Sequence, residues 1–129
     1  MRIHHIGYLV KKIDKAKLSF EKLGFVCEGE TVYDEIRDID ILFMTNDGYR
    51  IELVSPKSDK SVVRDLLKKI GVSPYHLCYY CDDIEADMAN LREQGFVPMG
   101  DPLPAPALGE KKVVFMFSAH SGMIELYEE

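Results

Sequence analysis

Apolar and polar residues alternate along the opening stretch RIHHIGYLV, the period-two pattern of a strand with one buried face. The spacing then turns helical. Asp14 reads as an N-cap, Ala16, Phe20 and Leu23 share one face, and Gly24 stops the run. After it FVCEGETVY reads as a strand entering a loop, and DILFMTNDGYRIELVSP as a hairpin turning at Asp47-Gly48. SDKSVVRDLLKKIGVSP reads as a connecting helix from about Lys60 to Ile70, closed by Gly71 and separated from the second half of the chain by Pro74.

The same order of patterns then returns. Residues 5–26, HIGYLVKKIDKAKLSFEKLGFV, align without a gap on residues 76–97, HLCYYCDDIEADMANLREQGFV. His5 matches His76, Tyr8 matches Tyr79 and Ile13 matches Ile84, while Gly24-Phe25-Val26 matches Gly95-Phe96-Val97. The second helix starts near Asp83, presents Ala86, Leu91 and Gln94, and stops at Gly95. FVPMGDPLPAP comes next as a strand and variable loop. KVVFMFSAHSGMIELYEE closes the chain as a second hairpin, with Phe115-Met116 answering Phe43-Met44 and a turn at Ser121-Gly122. A repeated unit of this length cannot be ignored in assigning the fold. The pattern implies an α+β protein of two βαβββ modules, about 1–56 and 74–129, joined by the helical linker of about 57–73 into one domain.

Alternation also sorts the faces. In YRIELVS, Glu52 points away from Ile51 and Leu53, and in GMIELYE, Glu125 points away from Ile124 and Leu126. His5 shares a face with Gly7 and Leu9, and His76 with Cys78 and Tyr80, whereas His4 looks the other way. His120 lies in the polar loop SAHSG with no counterpart in the first half. Each half therefore offers an early histidine and a late glutamate. Packed about a pseudo-twofold axis, the halves bring His5, Glu52, His76 and Glu125 together, and a buried carboxylate among imidazoles calls for a cation. Two nitrogens and two carboxylate oxygens suit Zn, Ni, Co, Mn or Fe as one divalent metal ion.

Composition narrows the partners. The chain of 129 residues is 47% hydrophobic, enough for a core, and its formal charge of −6 supplies no basic stripe for nucleic acid or an anionic membrane surface. No basic leader precedes an apolar run and no stretch is long enough to span a bilayer, so a cytoplasmic protein with a small-molecule substrate is expected. Three cysteines give no disulfide framework. Cys78 and Cys81 form a C-x-x-C string, but positions three apart on a strand face opposite sides, so they read as small core residues.

With these segments in place, the sequence resembles the vicinal oxygen chelate superfamily, the group of glyoxalase I and methylmalonyl-CoA epimerase, over nearly its whole length. HHIGYLVKKIDKAKLSFEKLGF is similar to that group's first strand and helix, and YRIELVSP, YHLCYYCDDIEA and GMIELYEE to its other ligand-bearing segments. The resemblance implies two βαβββ modules forming a cupped mixed β-sheet, with His5, Glu52, His76 and Glu125 as metal ligands. It also implies a homodimer, and a lyase or isomerase that removes an α-proton from a substrate with two adjacent oxygens. Glu125 would be the base and Glu52 its opposite number. The substrate would be a thiol adduct, as for lactoylglutathione lyase, or an acyl-CoA thioester, as for the epimerase. Leu9 stands where glutathione-dependent relatives carry arginine, and PALGEKKVVFMF is closer to the epimerase pattern. A non-catalytic resistance protein and a thiol transferase use the same fold. Retention of all four donor positions speaks against the former.

Overall fold

The structure is a computed structural model describing residues 1–129. It is an α+β protein, and the chain divides into two compact units, Ile6–Tyr75 and a composite of Met1–His5 with His76–Glu129. The first strand, β1 (Ile3–Leu9), contributes its end to the internal unit and its beginning to the composite one.

In the internal unit β1 is followed by α1 (Ile13–Glu21), the short β2 (Val26–Cys27) and β3 (Val32–Asp34), then β4 (Ile39–Asn46), β5 (Tyr49–Pro56) and α2 (Arg64–Ile70). β1 runs parallel to β5, β5 antiparallel to β4, and β2 and β3 both pair with β4. The single strand expected in FVCEGETVY is thus two pieces on one neighbour, interrupted around Gly29 at φ +86°. The turn from β4 to β5 is the two-residue hairpin that Asp-Gly favours, with Asp47 at φ +50° and Gly48 at φ +82°. Helix α1 starts one residue before Asp14. Lys12 occupies the cap position with no side-chain bond, and Asp14 places its carboxylate in the first turn, where the helix dipole favours it. Ile13, Ala16 and Phe20 pack on Leu42, Met44, Ile51 and Leu53. Leu23 is exposed instead, because the helix has already ended. Met44 and Leu53 are fully buried, worth ~1.5–3 kcal/mol each. The connecting helix begins at Arg64, later than expected, and Gly71 at φ +75° closes it.

The composite unit continues with β6 (Ser73–Cys81), α3 (Ile84–Glu93), β7 (Val97–Pro98), β8 (Leu103–Ala105), β9 (Lys111–Ser118) and β10 (Gly122–Glu128). Pro74 does not break the chain here, since it enters β6 as its second residue. The beginning of β1 lies beside β6, and Tyr80 N–H donates to the Arg2 carbonyl at 2.9 Å. β6 runs parallel to β10, β10 antiparallel to β9, and β7 and β8 both pair with β9. This repeats the internal unit's plan, split second strand included. Asp83 caps α3 by accepting from Ala86 N–H at 3.1 Å, and Glu128 accepts from Ile84 N–H at 2.9 Å. The buried face of α3 is Ile84, Met88 and Leu91 on Val114, Met116, Ile124 and Leu126. Of the face read off the sequence only Leu91 packs inward; Ala86 and Gln94 are exposed, and Ile84 and Met88 complete the buried stripe. No helix is long and apolar enough to cross a membrane.

Candidate metal centre

Both clusters under the helices take Ile-x-Leu from a hairpin's return strand, Ile51 and Leu53 in one and Ile124 and Leu126 in the other. Strand alternation then turns Glu52 and Glu125 to the opposite face of the sheet. Both carboxylates are nonetheless buried, each 5% exposed. Their neighbours in register explain how they fit. Glu125 lies between Phe115 of β9 and Cys78 of β6, and Glu52 between Phe43 of β4 and Gly7 of β1. One flank is aromatic and the other small in both halves, which leaves space over each carboxylate.

In the composite unit three of the predicted donors meet. His5 Nε2 and His76 Nε2 are 3.2 Å apart, and Glu125 Oε1 lies 3.3 Å from each. All three residues are buried, and the side chains of His5 and His76 are inaccessible to solvent. His76 is set by a T-shaped contact with Phe115, ring centroids 5.0 Å apart at 90°. Glu125 Oε1 makes no well-aligned hydrogen bond despite these two neighbours. The two imidazole nitrogens are also within hydrogen-bond reach of each other, so the three atoms close a compact triangle. Donors about 2.1 Å from one cation lie about 3.0 Å apart as octahedral neighbours and about 3.4 Å apart in a tetrahedron. The observed triangle, with edges of 3.2–3.3 Å, falls between these values. Two imidazole nitrogens and a carboxylate oxygen are also ordinary ligands of divalent transition metals. The donor set therefore fits such an ion in both chemistry and spacing.

Burial alone raises the pKa of Glu125, but the imidazoles of His5 and His76 outweigh it and hold the carboxyl well below the ordinary range. Glu125 thus remains an anion at neutral pH. Glu52 is placed by β5 in the internal unit, on the face of the sheet away from that unit's core.

Sequence reasoning sets His4 aside because its Cβ points away from that of His5. Its ring nevertheless reaches back, with Nδ1 2.7 Å from Nδ1 of His5. Cys78, which the strand pattern reads as packing only, has its Sγ within 4.8 Å of nitrogens of both histidines. Phe115 and Phe43 are visible as the repeated Phe-Met pair, but nothing in the pattern links them to the glutamates. His120 lies in an exposed turn outside this cluster.

The chain belongs to the Glyoxalase/Bleomycin resistance protein/Dioxygenase superfamily, whose pattern matches residues 4–115. Among its relatives, the uncharacterized protein YqjC of Bacillus subtilis is 27% identical over 132 residues, spanning 98% of this chain and 91% of that protein. The ethylmalonyl-CoA/methylmalonyl-CoA epimerase of Cereibacter sphaeroides is 24% identical over 116 residues, spanning 89% and 87%. The fold matches that of a variant of Streptomyces coelicolor methylmalonyl-CoA epimerase in complex with 2-nitronate-propionyl-CoA. The TM-score is 0.85 at 24% identity, over 100% of this chain and 94% of that one.

Proposed function

We propose that this protein is a metal-dependent isomerase that moves a proton on the carbon α to the carbonyl of an acyl-CoA thioester, an epimerase-type activity. The observation that carries the reading is the buried triangle of His5 Nε2, His76 Nε2 and Glu125 Oε1. Glu52 is proposed as the fourth ligand. It is the repeat counterpart of Glu125, and it stands in register with Gly7, which follows His5 by two residues on the same face of β1. When bound, a divalent cation supplies Lewis acidity toward two adjacent oxygens of a substrate and stabilises negative charge developing on them.

The chain's own residues divide the remaining work. His5 and His76, both buried, hold their Nε2 atoms in place. Glu125, kept anionic by both imidazoles, is suited to staying charged and anchoring the cation. Proton removal is assigned to Glu52 in place of Glu125, the base expected from the sequence, because Glu125 is engaged by two imidazoles. The abstracted proton rests on the Glu52 carboxyl, exchanges there with solvent, and a proton then returns to the α-carbon. Phe43 and Phe115, each beside a glutamate, limit water around the carboxylates. The acyl-CoA choice is supported by the Cereibacter sphaeroides relative, named as an epimerase of such thioesters, and by the 2-nitronate-propionyl-CoA in the structural neighbour.

The test is α-proton exchange. Protein loaded with Co²⁺ or Ni²⁺ is incubated in D₂O with methylmalonyl-CoA, and deuterium at the α-carbon is followed by mass spectrometry. Exchange that chelation abolishes and the cation restores supports the reading. Glu52→Gln should bind the cation more weakly and, even at saturating cation, lose exchange. Cation-loaded protein that leaves methylmalonyl-CoA unlabelled but converts the methylglyoxal–glutathione adduct would move the assignment to the glyoxalase branch.

A further inference from the structure

His4 is half-buried and stands beside the candidate centre without facing it. Its ring lies in T-shaped contact with Tyr80, centroids 5.1 Å apart at 87°, and tilted against Tyr127 at 5.0 Å. The Arg2 guanidinium lies over the Tyr80 ring, 4.4 Å from its centroid, and ion-pairs with Glu129 at 2.8 Å. Within this aromatic setting Nδ1 of His4 approaches Nδ1 of His5 to 2.7 Å. At that separation the two nitrogens share one proton, since two lone pairs or two N–H groups facing each other repel.

The position of that proton decides what His5 can do. A proton on His5 Nδ1 leaves a lone pair on Nε2, the atom 3.2 Å from His76 Nε2 and 3.3 Å from Glu125 Oε1. A proton on His4 Nδ1 pushes the neutral His5 into the other tautomer, with N–H on Nε2, and that atom then has no lone pair for a cation. We propose that His4 is a positioning residue whose Nδ1 accepts the Nδ1 proton of His5, holding His5 in the tautomer that presents its Nε2 lone pair to a cation. The inference rests on the metal reading above. His4 makes no contact with the cation or substrate in this role. The device is confined to one half of the repeat, because the residue matching His4 ahead of His76 is Tyr75, which has no ring nitrogen.

The experiment has two arms. In uniformly ¹⁵N-labelled wild-type protein, prepared without metal and again with Zn²⁺, a ¹⁵N–¹⁵N coupling across the hydrogen bond between His4 Nδ1 and His5 Nδ1 is expected, with the proton covalently on His5. Separately, Co²⁺ affinity is measured by competition with a chelator for wild type, His4→Phe and His4→Asn. Phe keeps the aromatic packing and removes the acceptor, whereas the Asn side-chain oxygen stands close to where Nδ1 stood. Loss of such a supporting partner weakens metal binding about 10–100-fold, so His4→Phe should fall in that range and His4→Asn within about threefold of wild type. Absence of the coupling, a proton found on His4, or His4→Phe binding Co²⁺ as tightly as wild type overturns the role of His4 and leaves the metal reading standing. A wild-type protein that binds no divalent cation overturns both. The coupling needs no variant, so a His4→Phe chain that failed to fold would leave the first arm decisive.

Discussion

Replacing Glu125 with glutamine tests the centre through stability alone, without reference to any substrate. The amide has nearly the volume of the carboxylate, so the packing beside Phe115 and Cys78 is kept while the charge 3.3 Å from two imidazoles is lost. In metal-free protein the loss should cost about 1–3 kcal/mol, the range for interactions with a charged buried group, and lower Tm by about 4 °C per kcal/mol in a domain of this size. The larger effect lies in the response to cation. A cation present at about 100 times its dissociation constant stabilises the wild-type fold by about 2.7 kcal/mol, a rise of about 10 °C. A variant binding about 100-fold more weakly gains only about 0.4 kcal/mol at the same concentration, under 2 °C. Differential scanning fluorimetry of both proteins, with and without Co²⁺ or Ni²⁺, reads the two effects separately. Equal cation-induced shifts in wild type and Glu125→Gln would refute the claim that this triangle holds the ion.

Three further outcomes are expected. Because the folded pKa of Glu125 lies below its ordinary value of 4.5, the stability it contributes is fully present above that value and is lost as pH falls through the folded one. The advantage of metal-free wild type over Glu125→Gln in urea midpoint should therefore hold from pH 7 to 5 and shrink toward pH 3; a constant difference would contradict the assigned shift. Of the three cysteines, exposed Cys27 should react quickly with a thiol reagent in native protein. Cys78 is fully buried, and burial together with nearby Asp and Glu charges pushes the Cys81 thiol up to about 12, so both should react only on unfolding. Asp83→Ala removes the N-cap side chain of α3, leaving only Glu128 on its first turn, and should lower stability by about 1 kcal/mol, whereas Asp14→Ala, at a position that does not cap α1, should cost less. Chemical denaturation of the pair checks that order.

How much of this was legible in the sequence depends on the range of the physics involved. The repeat was visible because each half must bury one helix face on Ile-x-Leu. That local demand, with the period of two, placed Glu52 and Glu125 off the core face, as the clusters around Leu53 and Leu126 show. Helix ends were off by a residue or more wherever propensity competed with capping. Lys12 took the cap position ahead of Asp14, and Arg64 began the connecting helix four residues after Lys60. Gly29 and Gly100, at φ +86° and +152°, lie where each second strand splits, a break that an apolar count does not register.

The partition of β1 was the feature least open to local reading. His5 and Glu52 belong to the same repeat, yet His5 joins His76 and Glu125 in the composite unit, while Gly7, two residues on, pairs with Glu52 in the internal one. A strand's hydrophobic pattern says which face is buried. It does not say which neighbour each end will bond, because that is settled by partners distant along the chain. His4 illustrates the same limit at shorter range. Alternation governs Cβ directions, whereas Nδ1 sits close to the backbone on a ring free to turn about χ1 and χ2, so adjacent side chains with opposed Cβ atoms still meet at 2.7 Å. The two histidines of an "HH" at the start of a strand are therefore not independent of each other. The first residue can govern the tautomer of the second, and both questions turn on which nitrogen of His5 carries the proton.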